Sequence, residues 1–576
     1  MQAPSPPLSA WLPLVWSVVV LCACGAPADD DDSASCCEDS GVVPEQREVG
    51  VESSDVVVCS DPGARALGPM YSAQAGPDFE QQQGWTPTAE DLPSGLAVAD
   101  FDGDGRADVF WPTGLFLTQE DGTLSNVTSS HLADFGYDIE GLSAADYDGD
   151  GDHDVLATGF NGFRLLENDG SGVFTNVTAS AGLDAAPLNT GTSAWADYDL
   201  DGDLDLAVMV LESLDPEGES LEAIIEGTMP AGLESRLYEN QGDGTFVHRV
   251  DLLPPAANQG YTCAGGWHDV DADGRLDLYL VNDFGPQVQG NRLLRNTEDG
   301  FTDVSQSLAL DVEIYGMGLG MGDLNGDGVP DFLATSWEDI ALLESSVDGT
   351  WYRSELARGV VLGPDQHASW GAHLVDMDND TDLDALVAFG NLPDHGAEES
   401  QQIEEGLGLV NTPGQPDALF IQREDGGFFD SASSWNLDDD RDGYSIVPVD
   451  LNGDGWLDAV KSDRIWLSRC GDASWIRVVL WGPSPNHFAV GARVTVEADG
   501  RSQHRWVVAG STGHGSSMPP EAHFGLATAE RVDRITVTWP DGAVSVVEGL
   551  EARRVVRLVR EDASLEPPPL PLPSLF

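Results

Sequence analysis

Between Leu96 and Trp111 two runs of alternating apolar residues, LAVADF and ADVFW, flank a stretch of aspartate and glycine. A period of two with no helical spacing predicts a hairpin of two half-buried β-strands around a polar loop. The same arrangement returns six times, at Asp146, Asp197, Asp269, Asp323, Asp376 and Asp450, with loop starts 46, 51, 72, 54, 53 and 74 residues apart. A second element lies between the copies: LLENDGSGVFTNVT, LYENQGDGTFVHRV, LLRNTEDGFTDVS, LLESSVDGTWYRS and LFIQREDGGFFDSAS. Each reads as a strand, a glycine-bearing turn and a second strand. One hairpin of each kind gives four strands, the content of a propeller blade, whose period is about 40–50 residues. Seven copies imply an all-β, seven-bladed β-propeller.

The loops carry the chemistry. In the first, Asp100, Asp102, Asp104 and Asp108 stand at positions one, three, five and nine, and the backbone carbonyl of Arg106 falls at position seven. Oxygen donors in this number suit Ca²⁺, which takes six to eight of them, better than zinc or copper. The loop starts like an EF-hand but has Trp111, not glutamate, at position twelve, and its flanks alternate like strands. Corresponding ligands are Asp146, Asp148, Asp150, Asp152 and Asp154; Asp197, Asp199, Asp201, Asp203 and Asp205; and Asp269, Asp271, Asp273, Arg275 and Asp277. The remaining loops offer Asp323, Asn325, Asp327, Val329 and Asp331; Asp376, Asp378, Asp380, Asp382 and Asp384; and Asp450, Asn452, Asp454, Trp456 and Asp458. Up to seven Ca²⁺ sites follow. At position six of the sixth loop Thr381 replaces glycine, and a β-branched residue resists the left-handed backbone, so this site is expected to be the weakest or to have altered geometry.

Loops and hairpins together resemble FG-GAP/VCBS repeats, the calcium-loop blades also found in the integrin α-chain propeller, from about Gly95 to Cys470. Beyond Cys470 short alternating runs predict a small, separate all-β domain. Its segments GARVTV, the Gly510 to Gly515 turn, HFGL and ITVTWPDG resemble the ASPIC/UnbV domain, which follows FG-GAP blades in the cartilage-acidic-protein-like family. HFGL is expected to close a β-turn. The domain plan is residues 1–23 as a signal peptide, 24–83 as an acidic low-order tether and 84–472 as the propeller. The C-terminal domain takes 473–561 and a Pro-rich extended tail 562–576. Two long intervals, 211–235 and 390–416, are acidic insertions without blade strands, the kind of excursion that carries binding surfaces.

Composition narrows the partners. With 26 basic against 100 acidic side chains, the net charge of −74 excludes nucleic acid, whose phosphates need a basic surface. At the N-terminus an apolar run from Ala10 to Ala23 is shorter than the about 20 residues of a membrane span and fits a secretory leader. It ends in Leu21-Cys22-Ala23-Cys24, which resembles a bacterial lipoprotein box with lipid on Cys24, although no Lys or Arg precedes it. The expectation is an exported monomer at the cell envelope, tied to membrane through that lipid only. Of the mature cysteines, Cys36, Cys37, Cys59, Cys263 and Cys470 permit at most two bridges, of undetermined pairing.

For activity, the sequence has no G-x-S-x-G elbow, H-E-x-x-H helix or phosphate-cradling loop. His268 precedes the fourth loop, His367 and His373 precede the sixth, and His514 and His523 lie in the C-terminal domain. The expected function is a calcium-binding scaffold for an extracellular protein or glycan, with no catalytic residue assigned. The alternative is a polysaccharide hydrolase or lyase with its site on a propeller face.

Overall fold

A computed structural model of the chain describes residues 44–57, 72–75 and 95–570, apart from 121, 133–138, 161, 184–187, 214–229, 392–413, 462–463, 469 and 511–512. The leader and Cys24 lie outside these residues, as does most of each insertion.

Seven sheets follow the seven loops, six with four strands and one with five. Each begins with a strand at the ring centre, the first three being Ala97–Ala99, Gly141–Ala145 and Leu188–Ala196. The others are Tyr261–His268, Gly316–Gly322, Ser369–Val375 and Ile446–Val449. The metal-type loop then turns the chain into an antiparallel second strand, such as Asp108–Trp111 after Ala97–Ala99. Because the sheets stack face on face, both sides of the inner strands are apolar and buried: Ala97, Val98 and Ala99 are each at most 1% exposed. Cores form between neighbouring blades. Phe101, Phe110 and Phe174 pack with Leu142 and Val155 across blades one and two, and Val98, Val109 and Trp111 meet Val447, Val449 and Val460, which closes the ring between blades one and seven. The seventh sheet takes its fourth strand from Ser72–Ala75, paired with Arg464–Leu467.

The C-terminal domain consists of two four-stranded sheets. One pairs Arg493–Ala498 with Arg501–Trp506 and Arg531–Thr538, and adds Val544–Glu551 outside. In the other, Ser474–Trp481 runs parallel to Arg554–Arg560 and antiparallel to Glu521–Ala527. Alternation places Ile476, Val478 and Leu480 with Val494, Val496, Phe524, Val556 and Leu558 in one core.

Two expectations change here, and a third gains contacts. Part of the segment read as a low-order tether is built into the fold: Val49–Ser53 pairs with Arg554–Arg560, and Ser72–Ala75 closes the last blade. HFGL lies inside the strand Glu521–Ala527 and not in a turn. The Pro-rich tail is held at its start, since Trp481 Nε1 donates to the Leu565 carbonyl at 3.0 Å and Arg557 donates to the carbonyls of Pro568 and Pro569 at 2.6 and 2.8 Å. Cys470 is disulfide-bonded, its partner lying outside the described residues. Among the described residues no helix is long and apolar enough to cross a membrane.

Candidate metal loops beneath the C-terminal domain

In the first loop the Asp100 carboxylate accepts the N–H groups of Asp104 and Gly105 at 3.1 and 2.8 Å, and Asp104 accepts that of Arg106 at 2.9 Å. These short-range bonds curl the backbone so that the carboxylates converge. The curl needs left-handed residues at positions four and six, supplied in the first loop by Gly103 and Gly105 at φ of 71° and 87°. Oxygens of Asp100, Asp102 and Asp108 lie within 4.8 Å of one another, as do those of Asp146, Asp148 and Asp154, of Asp197, Asp199 and Asp205, of Asp269, Asp271 and Asp273, and of Asp376, Asp378 and Asp384. Such donor sets could hold a metal ion, with the seventh-position carbonyl as a further ligand. The fifth and seventh loops share the fold of the others, with Asn325 and Asn452 offering amide oxygens.

Electrostatics fit a cation. Burial, followed by like-charged neighbours, pushes Asp100 up to about 7 and Asp146 up to about 8. Asp108, Asp154, Asp376, Asp384 and Asp458 are raised well above the usual range, burial first. A bound divalent ion would reverse this shift by pairing with the charged form.

The ninth-position aspartate has a second role that the sequence did not disclose. Asp108 is 0% exposed; one oxygen accepts the Phe101 N–H at 3.0 Å and the other the Thr118 N–H at 2.7 Å. Thr118 lies on the third strand, so this carboxylate ties the loop to its blade. Asp331 does the same for Leu324 and Ser345 at 2.7 and 2.6 Å, and Asp458 for Leu451 and Ser468 at 3.0 and 2.6 Å. A further tie joins neighbouring blades: Asn168, Asn240 and Asn296 donate from Nδ2 to the carbonyls of Phe101, Tyr147 and Tyr198 in the preceding loops. The recurring N in LLEN, LYEN and LLRN was its signal.

The sixth loop keeps the common geometry despite Thr381. That residue takes φ of 93°, and its N–H reaches Asp376 Oδ2 at 2.9 Å, the bond glycine makes elsewhere. Expected alteration of the loop is therefore not observed; the surroundings impose the backbone that threonine resists. Asn379, also left-handed at 59°, donates to the Gly455 carbonyl at 3.0 Å and accepts from His523 Nε2 at 2.8 Å.

That last bond belongs to a larger arrangement, because the C-terminal domain sits on the loop face of the ring. His487 Nε2 is 3.2 Å from the Gly149 carbonyl. A Cβ on Gly455 would lie 1.6 Å from the Trp475 ring, and one on Gly525 would lie 2.1 Å from Asp376 Oδ2. Arg477 contacts Asp450 Oδ2 at 3.2 Å, with side chains 5% and 0% exposed, and Arg501 pairs with Asp382 at 3.6 Å. From this domain residues 509–510 and 513–518 enter the ring centre. Ala509–Gly510 pairs with Leu188–Ala196, Gly515 accepts from Leu142 at 2.9 Å, and Gly513 exchanges bonds with Leu319 at 3.1 Å. His514 Nδ1 reaches the Met317 carbonyl at 2.7 Å, and Ser517 bonds Leu96 and Val98. The turn read in the sequence as a domain feature is thus a plug in the channel.

The histidines are dispersed around this plug. His268 meets Trp506 edge-on with centroids 5.0 Å apart, and burial lowers His268 to about 3 and His373 to about 4. Both are neutral side chains of the interdomain packing, and a cavity of about 100 Å³ lies between them, Arg505, Glu521 and His523. His367 instead pairs with Glu338 at 3.1 Å.

Comparison with known proteins matches residues 146–208, 269–334 and 323–387 to the FG-GAP-like repeat, and residues 482–565 to ASPIC and UnbV. Curated relatives are cartilage acidic protein 1 of Xenopus tropicalis, 28% identical over 291 residues, and of Homo sapiens, 27% identical over 320 residues. The matches cover 47% and 51% of this chain but 41% and 44% of those proteins, so the chain spans under half the length of the curated relatives it matches. Among solved structures, an Agrocybe aegerita lectin recognising non-reducing terminal N-acetylglucosamine aligns with TM-score 0.37 and 15% identity, covering 75% of this chain and 98% of its own. A Bacillus licheniformis rhamnogalacturonan lyase aligns with TM-score 0.31 and 11% identity, covering 88% and 90%. At these scores neither carries an argument about this chain.

Proposed function

We propose that this chain, which carries FG-GAP-like repeats and an ASPIC/UnbV domain, is an exported, lipid-anchored scaffold that binds an extracellular protein or glycan and depends on Ca²⁺ in its loops. The observation that supports it is the division of the ring into two faces. Most of the loop face is covered by the chain's own C-terminal domain, which gives the metal loops a structural task. Connections between second and third strands emerge at the opposite end of each blade. Both acidic insertions are such connections, one between Asp205–Ser213 and Arg236–Asn240, the other between Asp384–Phe389 and Ala418–Gln422. A rigid ring with long connections leaving the end opposite the covered face is a binding architecture. With the channel filled from the loop side, a hydrolase or lyase centre at the middle of the ring is the less favoured reading.

The test is a glycan and surface-protein screen of the mature chain, with calcium and with chelator. Saturable, calcium-dependent binding without turnover supports the scaffold, whereas consumption of a polysaccharide supports the enzyme. Mass analysis of the native N-terminus tests the anchor: a diacylated Cys24 is expected, and an unmodified terminus elsewhere would reject it.

A further inference from the structure

Between loops three, four and five and the C-terminal domain lies a cleft of about 800 Å³, within the about 300–1,000 Å³ usual for small-ligand sites. Its propeller wall is formed by Leu200, Leu276, Val329 and the fourth loop, and its opposite wall by Arg493 and Trp506. Here the covering domain stands away from the loops, and Asp271 to Gly274 are exposed.

Two features of the wall lack a structural reason. Arg493 is half-buried and makes no side-chain hydrogen bond or ion pair with the described residues, in a molecule where acidic side chains outnumber basic ones 100 to 26. The other cation of the cleft, Arg295, pairs with Asp271 at 3.1 Å. The second feature is position four of the flanking loops. Loops one, two, five and seven place glycine in this left-handed position, and loop six places Asn379, which its bonds to His523 and Gly455 explain. Loops three and four place Leu200 and Ala272 there, at φ of 64° and 59°, although the conformation penalises any side chain. Leu200 is 47% exposed, so packing does not compensate it. Both residues line the cleft.

We propose that this cleft binds a carboxylate-bearing sugar ring, a hexuronate unit, at the surface made by Arg493, Trp506, Leu200 and Leu276. The inference rests on the scaffold reading above, names a glycan class for it, and places that ligand where the C-terminal domain leaves part of the loop face open. The guanidinium fork fits a carboxylate through two parallel bonds. Trp506 and the two leucines offer apolar surface for the C–H face of a ring. A neutral sugar leaves Arg493 unpaired, and a dense polyanion is repelled by the surrounding acid.

The experiment is titration of the calcium-loaded full-length mature chain with sodium glucuronate, sodium galacturonate, glucose and acetate, followed by calorimetry or ligand-detected NMR. A uronate should bind at least about tenfold more tightly than glucose or acetate, and Arg493→Gln should weaken it by about tenfold or more, the range for a charged hydrogen bond. Arg493→Lys, which keeps the charge without the fork, should recover part of the loss. Leu200→Gly separates ligand binding from folding, because it should raise the melting temperature while weakening the uronate. No uronate binding to the wild type, or equal binding to Arg493→Gln or Leu200→Gly, would overturn the assignment. If a calcium-dependent ligand from the broader screen binds wild type and Arg493→Gln alike, the cleft assignment fails and the scaffold stands. If nothing binds in calcium, both fail.

Discussion

Asp102→Ala and Asp108→Ala remove neighbouring ligands of one loop, yet they should respond differently to calcium. Asp102 is partly exposed, and its carboxylate accepts the Asp104 N–H at 3.2 Å. Its replacement removes little beyond the ion. Ligand binding to the native state contributes RT ln(1 + [L]/Kd), roughly 1.4 kcal/mol for a Kd of about 10⁻⁴ M in about 1 mM calcium. The variant should lose about that amount in calcium and almost nothing in chelator, where removal of one like charge offsets the lost turn. Asp108→Ala also strands the N–H groups of Phe101 and Thr118 in a site 0% exposed. An unsatisfied buried donor costs about 1–3 kcal/mol, so two cost about 2–6 kcal/mol, and this loss persists in chelator.

Thermal melts of the wild type and both variants, in about 1 mM calcium and in excess chelator, supply the full cycle. A calcium-dependent loss for Asp102→Ala beside a largely calcium-independent one for Asp108→Ala is the expected result. Equal, chelator-silent losses for both would reduce the ninth aspartate to a simple ligand. Equal melting temperatures of the wild type in calcium and in chelator would refute calcium binding itself.

Other expectations follow from the same geometry. Without calcium, burial holds Asp100 and Asp331 at about 7 and Asp146 at about 8, against 3.8 when unfolded; the folded state then keeps protons the unfolded chain has released, so melting temperature in chelator should fall from about pH 4 to about pH 8. In calcium the carboxylates must be charged to bind, so stabilisation by the ion should grow over that window; a chelator profile rising with pH would contradict this. Gly515→Val should loosen the C-terminal domain, since a Cβ there meets the Glu140 carbonyl at 2.7 Å, and faster proteolysis within the plug segment with the ring's melt retained is the readout. Deleting 394–412 should leave cooperative unfolding intact, whereas extending the deletion through 416 should not. Gln415 is 0% exposed and accepts the N–H groups of His367 and Ala368 at 2.7 and 2.8 Å, so the end of the interval read as an insertion over 390–416 is anchored in the fold. Residues 211–213 likewise belong to the strand Asp205–Ser213 and not to the first insertion.

Legibility in the sequence tracks how far apart the interacting residues are. The loop ligands could be read because positions one, three, five and nine make their bonds within nine residues, and a repeated local pattern is visible in a linear chain. Asp108 was legible as a ligand, but its bond to Thr118 depends on which strand lies third in the blade. Val49–Ser53 escaped because four of its five residues are exposed, which leaves no alternation to detect, and its register with Arg554–Arg560 joins the two ends of the chain. The plug escaped for a related reason: Gly510, Gly513 and Gly515 are left-handed at 70°, 71° and 61°, which any glycine turn would allow. Their other property, clearance against Ser193, Ala372 and Glu140 from three different blades, exists only once the ring has closed. Thr381 shows the same limit in reverse. Intrinsic preference argued for a distorted loop. Asp376 holds the Thr381 N–H from within the loop, and the strand Glu521–Ala527 of the covering domain holds Asn379 from outside it, through the Ala527 N–H at 2.8 Å. With the backbone fixed from both sides, a local cost of about 1–3 kcal/mol is held by the tertiary frame.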